Sequence, residues 1–275
     1  MLDLLLAIGS SAAVSAMLRI GEARSRGMYA RFAMNYASAA LLAFLAMPVK
    51  AFPQNGYGSA LGLGAAQGVM YLLTLVILQA NIRKNGVILS ATFARLGLIV
   101  PMVFAVAAFG EIPSGVQMLG FLLACGAIWM LRAGQPGKAA SRGGLLILLL
   151  CNGLTDSLAK IFEQTGSRNL DGWFLLITFL VALVVSLGMM VYRREKLGWR
   201  EILYGCLVGI PNYGSVFFLL RALTHLPAVL VYPTYSAGTI LAVSLIGAAA
   251  FRERLERRQW LGLGVILLAL ILLNL

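Results

Sequence analysis

Asn152-Gly-Leu-Thr-Asp156-Ser-Leu-Ala-Lys160-Ile-Phe-Glu163 carries a polar stripe through an apolar segment, and it has a counterpart 141 residues earlier. There, Ser11-Ala-Ala-Val-Ser15-Ala-Met-Leu-Arg19-Ile-Gly-Glu22 repeats the same 4, 4, 3 spacing of polar residues. That spacing puts all four side chains on one face of a helix. A membrane helix with one polar stripe turns it away from lipid, so both stripes are expected to face the interior or another helix.

The match does not stand alone. Gly64/Gly68 falls on Gly205/Gly209 at the same offset. One residue further, at 142, Tyr71 falls on Tyr213, and Phe109-Gly-Glu111, Gln117 and Gly120 fall on Phe251-Arg-Glu253, Gln259 and Gly262. Matches at nearly one offset argue for a duplicated chain. Reading apolar runs between polar breaks gives spans near 2–20, 28–48, 58–80, 86–109 and 115–132, then 143–164, 171–192, 201–222, 227–250 and 258–274. Phe-Pro-Gln-Asn-Gly at 52–56 and Ala-Gly-Gln-Pro-Gly at 133–137 supply turn chemistry at two of the breaks. Five spans per copy is odd, so the second copy enters the membrane from the opposite side. The expected fold is all-α and integral to the membrane: ten transmembrane helices as two inverted five-helix repeats, 1–135 and 143–275, with a linker at 136–142.

Composition agrees. Of 275 residues, 60% are hydrophobic and 12% charged, too few charges to cover a soluble domain of this length. A spanning helix uses roughly 20 apolar residues to cross about 30 Å of hydrocarbon. Ten of them leave no room for a separate catalytic head. The formal charge of +12 suggests nucleic acid, yet the basic residues sit at short breaks between apolar runs, without a basic face or aromatic-basic motif. No nucleic-acid partner is expected. The breaks after spans 1, 3, 5, 7 and 9, with their flanking turns, hold 17 of the 22 Lys and Arg; the other side holds Lys50, Arg168 and Arg221. The positive-inside rule then makes the basic side cytoplasmic and leaves both termini non-cytoplasmic. The expected location is a bacterial inner membrane.

Several chemistries find no support. Cys125, Cys151 and Cys206 lie apart in apolar segments and read as packing residues, with no metal spacing. No Gly-x4-Gly-Lys-Ser/Thr loop is present, and Gly62-Leu-Gly64-Ala-Ala-Gln67 fails a dinucleotide fingerprint. An intramembrane enzyme would pair His, Asp or Cys within spans, but the single histidine, His225, falls at a span end. No catalytic residue, metal or cofactor is expected.

Ionisable residues inside hydrocarbon are costly and face a cavity or a partner. Two stand out. Arg95 lies ~14 Å and Asp156 ~20 Å from the same edge at the helical rise per residue. Asp156 reads as a proton- or cation-binding carboxylate, or as a partner for a substrate amine. Arg95 reads as the holder of a substrate carboxylate or phosphate, or as the resting counter-ion of Asp156. The structural alternative is a fixed Asp156–Lys160 or Asp156–Arg95 pair. Asn152 and Lys160 join the candidates through the stripe, although Lys160 and Glu163, near a span end, can simply snorkel and pair. A neutral tier adds Gln67 and Tyr71 in span 3, Asn212 and Tyr213 in span 8, Tyr232 and Tyr235 in span 9, and Asn35 and Tyr36 in span 2. Hydroxyls and amides of this kind also join helices in ordinary packing. Pro101, Pro211 and Pro233 are candidate kinks, and the Gly-x-x-x-Gly pairs read as close helix crossings.

The Phe-x-Glu-x5-Gln-x2-Gly pattern before the last span of each half resembles the EamA-like transporters of the drug/metabolite transporter superfamily. The stretch from Tyr232-Pro233 through Phe251-Arg-Glu-Arg-Leu255 to Gly262 is the most family-like part. The resemblance implies export or exchange of amino acids, metabolites, nucleotide sugars or toxic compounds. It also implies cytoplasmic termini, opposite to the charge count. The expected function is secondary transport of a small polar or amphipathic metabolite by alternating access of the two halves. The alternative is a non-transporting membrane subunit or a lipid flippase accessory. The expected partners are a small-molecule substrate, the lipid bilayer and a proton or other coupling ion. Internal duplication makes a monomer sufficient.

Overall fold

The computed structural model describes residues 1–47, 57–97, 100, 101, 104, 107, 110, 114–131, 142–165, 170–251 and 257–273. Among these, ten α-helices are bounded: α1 Leu2–Arg24, α2 Met28–Ala46, α3 Tyr57–Asn85, α4 Val87–Leu96 and α5 Gly115–Leu131 in the first half. The second half has α6 Arg142–Thr165, α7 Asp171–Tyr192, α8 Trp199–Leu223, α9 Ala228–Ala250 and α10 Arg257–Leu273. Among the described residues, six helices, α1, α3, α6, α7, α8 and α9, are long and apolar enough to cross a membrane. Leu5, Leu146, Ile147, Leu150, Val184 and Val191 point outward, as lipid-facing residues must. The chain is a multi-pass membrane protein. Phe109, Glu111, Glu253, the side chains of Gln117 and Gln259, and residues 136–141 of the expected linker lie outside the described part.

Two helices run past their apolar edges. α3 continues to Asn85 instead of ending near 80, its polar last turns bonded to neighbouring elements and within the helix. Gln79 donates to Glu22, Asn81 donates to the Gly144 carbonyl at 3.1 Å, and Asn85 donates to Asn81 at 3.0 Å. α1 likewise reaches Arg24, with Glu22 paired to Arg31 and Arg83. The N-terminus of α2 is capped from the other half of the chain. Glu201 accepts from the Arg26 and Gly27 amides at 3.0 and 3.3 Å, and Glu195 accepts from Ala30 at 2.9 Å. Carboxylates suit a helix N-terminus, where unpaired amides and the dipole both attract negative charge.

α8 packs between α1 and α2, and α3 packs correspondingly against α6 and α7. α1 lies on α9 as α6 lies on α4, while α2·α7, α4·α9 and α5·α10 are paired across the halves. Phe179 of α7 joins the halves at the centre, with Tyr36, Tyr71 and Tyr213 ring centroids 6.5, 5.9 and 6.3 Å away.

Both Gly-x-x-x-Gly pairs lie at close crossings. A Cβ at Gly68 would stand 2.9 Å from Val181 Cβ, and one at Gly209 would strike Asn35 O and Ser38 Oγ. Since the obstacle at Gly209 is partly backbone, Gly209→Val is expected to cost about 3 kcal/mol or more. Gly188→Ala, with nothing within 4 Å of its Cβ, is expected to be neutral. Melting of the purified variants in detergent checks both, and equal melting temperatures contradict this account. Pro211 and Pro233 sit inside continuous helices and interrupt neither α8 nor α9.

Candidate functional site

The α1 and α6 stripes meet at one polar cavity of about 90 Å³, completed by α3, α4, α8 and α9. Its walls carry Ser11 and Ser15 of α1, Tyr71 and Thr74 of α3, and Arg95 of α4. Facing them are Asn152, Thr155 and Asp156 of α6, Asn212 and Ser215 of α8, and Tyr235 of α9. Six of the ten sequence candidates therefore share one space. At ~30 Å³ per water, that space holds about three waters or a small polar group.

The two charges face this cavity without pairing. Arg95 donates to the Ser11 hydroxyl, and its guanidinium lies 4.5 Å from the Tyr235 ring centroid. Such stacking suits a planar cation better than an ammonium. Asp156 receives one long hydrogen bond, 3.4 Å from Asn152 Nδ2. Among the described residues, no cationic group lies within 4.0 Å of it. The fixed Asp156–Arg95 and Asp156–Lys160 pairs are thus not what the structure contains. Asn212 donates to Asn35 at 3.1 Å, and the Thr74 and Thr155 hydroxyls lie 3.2 Å apart, which joins the halves across the cavity.

The other four candidates fall elsewhere. Tyr232 stands behind the wall and donates to the Asp156 backbone carbonyl at 3.0 Å. Gln67 is buried one turn from Tyr71, on the same face of α3. Lys160 bonds Glu163 at 2.9 Å, but it is 2% exposed, so it is buried within the bundle instead of snorkelling. Tyr213, which the sequence offset of 142 pairs with Tyr71, lies away from the cavity. It packs against Phe217 at 5.4 Å and lines a lateral apolar groove among α1, α2 and α8. One residue is 100° of helical rotation, and here that gives the cavity to Asn212.

Ser11 and Ser15 were visible as the counterpart stripe. Thr74, Thr155 and Ser215 were not singled out by sequence reasoning. Their signal was periodicity, each lying three residues from a candidate: Tyr71, Asn152 and Asn212.

A bundle of apolar helices surrounds an acid and a base that, among the described residues, do not pair with each other. This chain belongs to the EamA-like transporter family of the drug/metabolite transporter superfamily, whose family pattern matches residues 143–275. A Haemophilus influenzae protein described as uncharacterized is 26% identical over 273 residues, covering 95% of this chain and 93% of that protein. Shorter relatives are described as the probable 4-amino-4-deoxy-L-arabinose-phosphoundecaprenol flippase subunit ArnE. That of Pectobacterium atrosepticum is 30% identical over 113 residues, 36% of this chain and 96% of the relative. That of Proteus mirabilis is 27% identical over 111 residues, 37% of this chain and 96% of the relative. A solved structure described only as the crystal structure of a protein shares the fold, with TM-score 0.71 at 14% identity over 99% of this chain and 98% of that one.

Proposed function

We propose that the chain is a secondary transporter of a small polar or amphipathic metabolite. It would work by alternating access of two inverted five-helix repeats, 1–135 and 143–275, joined through 136–142. The observation that carries this reading is the cavity, with Arg95 from the first half and Asp156 from the second facing it unpaired. The helix contacts support the repeat: exchanging each helix for the one five places on turns α1·α8 into α6·α3, α2·α8 into α7·α3 and α1·α9 into α6·α4. A fold whose two packings are related in this way can open one site to either side. Arg95 would take a carboxylate or phosphate. Asp156 would take a substrate amine, a proton or another coupling cation. Energy comes from an ion gradient or from exchange, and one chain suffices.

A second reading, a lipid flippase or an accessory subunit of one, draws on the ArnE relatives and on the groove of about 620 Å³ lined by Leu5, Leu42, Pro211 and Phe217. The two readings part in proteoliposomes containing this chain alone. Metabolites that stabilise the purified protein on melting by mass action are tested for flux. Protein-dependent uptake of a soluble hit supports the transporter. Movement of a labelled lipid without any metabolite flux supports the flippase.

The charge count supports an orientation with α1–α2, α3–α4 and α7–α8 connections cytoplasmic and both termini outside, in a bacterial inner membrane. A cysteine placed at Lys196 is expected to be shielded from an impermeant thiol reagent in intact cells, and one placed at Asp3 to react. The opposite labelling pattern reverses the orientation.

A further inference from the structure

The connection between α1 and α2 meets the start of α8 at a second pocket, of about 370 Å³, lined by Ala23, Arg24, Ser25, Arg26, Arg200 and Tyr204. Half of its lining residues are arginines and none is acidic. The nearby carboxylates have other partners: Glu201 and Glu195 accept backbone amides at the start of α2, and Glu22 is held by Arg31 and Arg83. Arg24 has a neutral partner, the Tyr204 hydroxyl at 3.2 Å. Among the described residues, none of Arg24, Arg26 and Arg200 lies within ion-pair distance of a carboxylate. Three guanidiniums and the Tyr204 hydroxyl surround this open space, a donor set that suits an anion, while Ser25 donates to the Gly21 carbonyl and accepts from Arg31.

Its position says which anion. The pocket lies where α1 ends and α8 begins, at the edge of the apolar bundle. Trp199 is exposed beside it, and Leu203, Leu207 and Ile210 continue outward along α8, also exposed. Interfacial tryptophan followed by an outward apolar ridge is what a lipid meets from headgroup to acyl chain. We propose that this pocket binds the phosphodiester headgroup of an anionic phospholipid, with the acyl chains lying along the outer face of α8. Arg24 and Arg26 come from the first half of the chain, Arg200 and Tyr204 from the second. A bound headgroup therefore holds the two halves together at this end and favours the arrangement in which α1, α2 and α8 are closed on one another.

The test is the melting temperature of the purified full chain in detergent, titrated separately with dioctanoyl phosphatidylglycerol, dioctanoyl phosphatidylcholine and inorganic phosphate. Phosphatidylglycerol is expected to raise it saturably, while phosphatidylcholine and inorganic phosphate leave it unchanged. Each of Arg24→Gln, Arg26→Gln and Arg200→Gln is expected to weaken the apparent affinity roughly five-fold. The double variant Arg193→Gln/Lys196→Gln removes two charges from the neighbouring α7–α8 connection outside the pocket and is expected to keep the wild-type response. Equal shifts with phosphatidylglycerol and phosphatidylcholine overturn the proposal. So does a response to phosphate without one to phosphatidylglycerol, which marks a site for a soluble anion. An equal loss in the Arg193/Lys196 variant also overturns it, because attraction to the whole basic face then suffices.

Discussion

Asp156→Asn is expected to reduce transport about 100-fold or more while leaving a folded, membrane-inserted protein, and Arg95→Gln is expected to do the same. The size follows from removing one side of a desolvated charge interaction, which costs on the order of 2–5 kcal/mol. Retention of fold follows from the geometry. Asparagine matches aspartate in shape and can keep the contact with Asn152, at present 3.4 Å, and no cation depends on the lost charge within 4.0 Å. A carboxylate that only fixed helix register would need a partner, and its removal would then cost stability before function. The readout is flux in proteoliposomes beside size-exclusion profiles of the same variants. Full activity in both would remove Asp156 and Arg95 from the mechanism. Tyr235 refines the test. Tyr235→Phe keeps the ring under the Arg95 guanidinium and is expected to be mild, whereas Tyr235→Leu removes the ring and is expected to resemble Arg95→Gln.

The largest stability effect is expected at Arg31, far from the cavity's own charges. Arg31 is 1% exposed. It donates to Gly21 O at 2.8 Å, to the Ser25 hydroxyl and to Gln79 Oε1 at 3.3 Å, and it lies 3.5 Å from Glu22. It ties the end of α1 to the starts of α2 and the last turns of α3. Arg31→Met removes every one of these contacts and leaves Glu22 with Arg83 and Gln79 only. Losing one partner of a buried ionic group costs about 3–5 kcal/mol, a fall in melting temperature on the order of 10 °C. Glu22→Gln is expected to be milder, since Arg31 keeps its hydrogen bonds to Gly21 and Ser25. A melting temperature for Arg31→Met within a degree or so of wild type would show that the network contributes little.

Arg31 also marks what sequence reasoning misses. By pattern it is one more basic residue at the start of a span, counted with the cytoplasmic charges. Nothing in the neighbouring residues says that Glu22, nine positions earlier, and Gln79, 48 positions later, surround it. Lys160 is a similar case, placed near a span end by hydropathy yet buried by its neighbours. The sequence offset pairs Tyr71 with Tyr213, whereas the helices present Tyr71 and Asn212 to the cavity.

The polar stripes at Ser11–Glu22 and Asn152–Glu163 show where the division falls. Residue order alone determined that the chain is helical and membrane-embedded, and that Arg95 and Asp156 are exceptional. Those conclusions rest on local quantities: apolar run length against bilayer thickness, helical periodicity, and the cost of a charge in hydrocarbon. Tertiary structure decided that the upper halves of the stripes share one cavity, that Asp156 remains unpaired there, and that Lys160 turns to Glu163. Each depends on how six helices, distant in sequence, rotate and cross. A rotation of 100° exchanges one wall residue for its neighbour while leaving every apolar run unchanged.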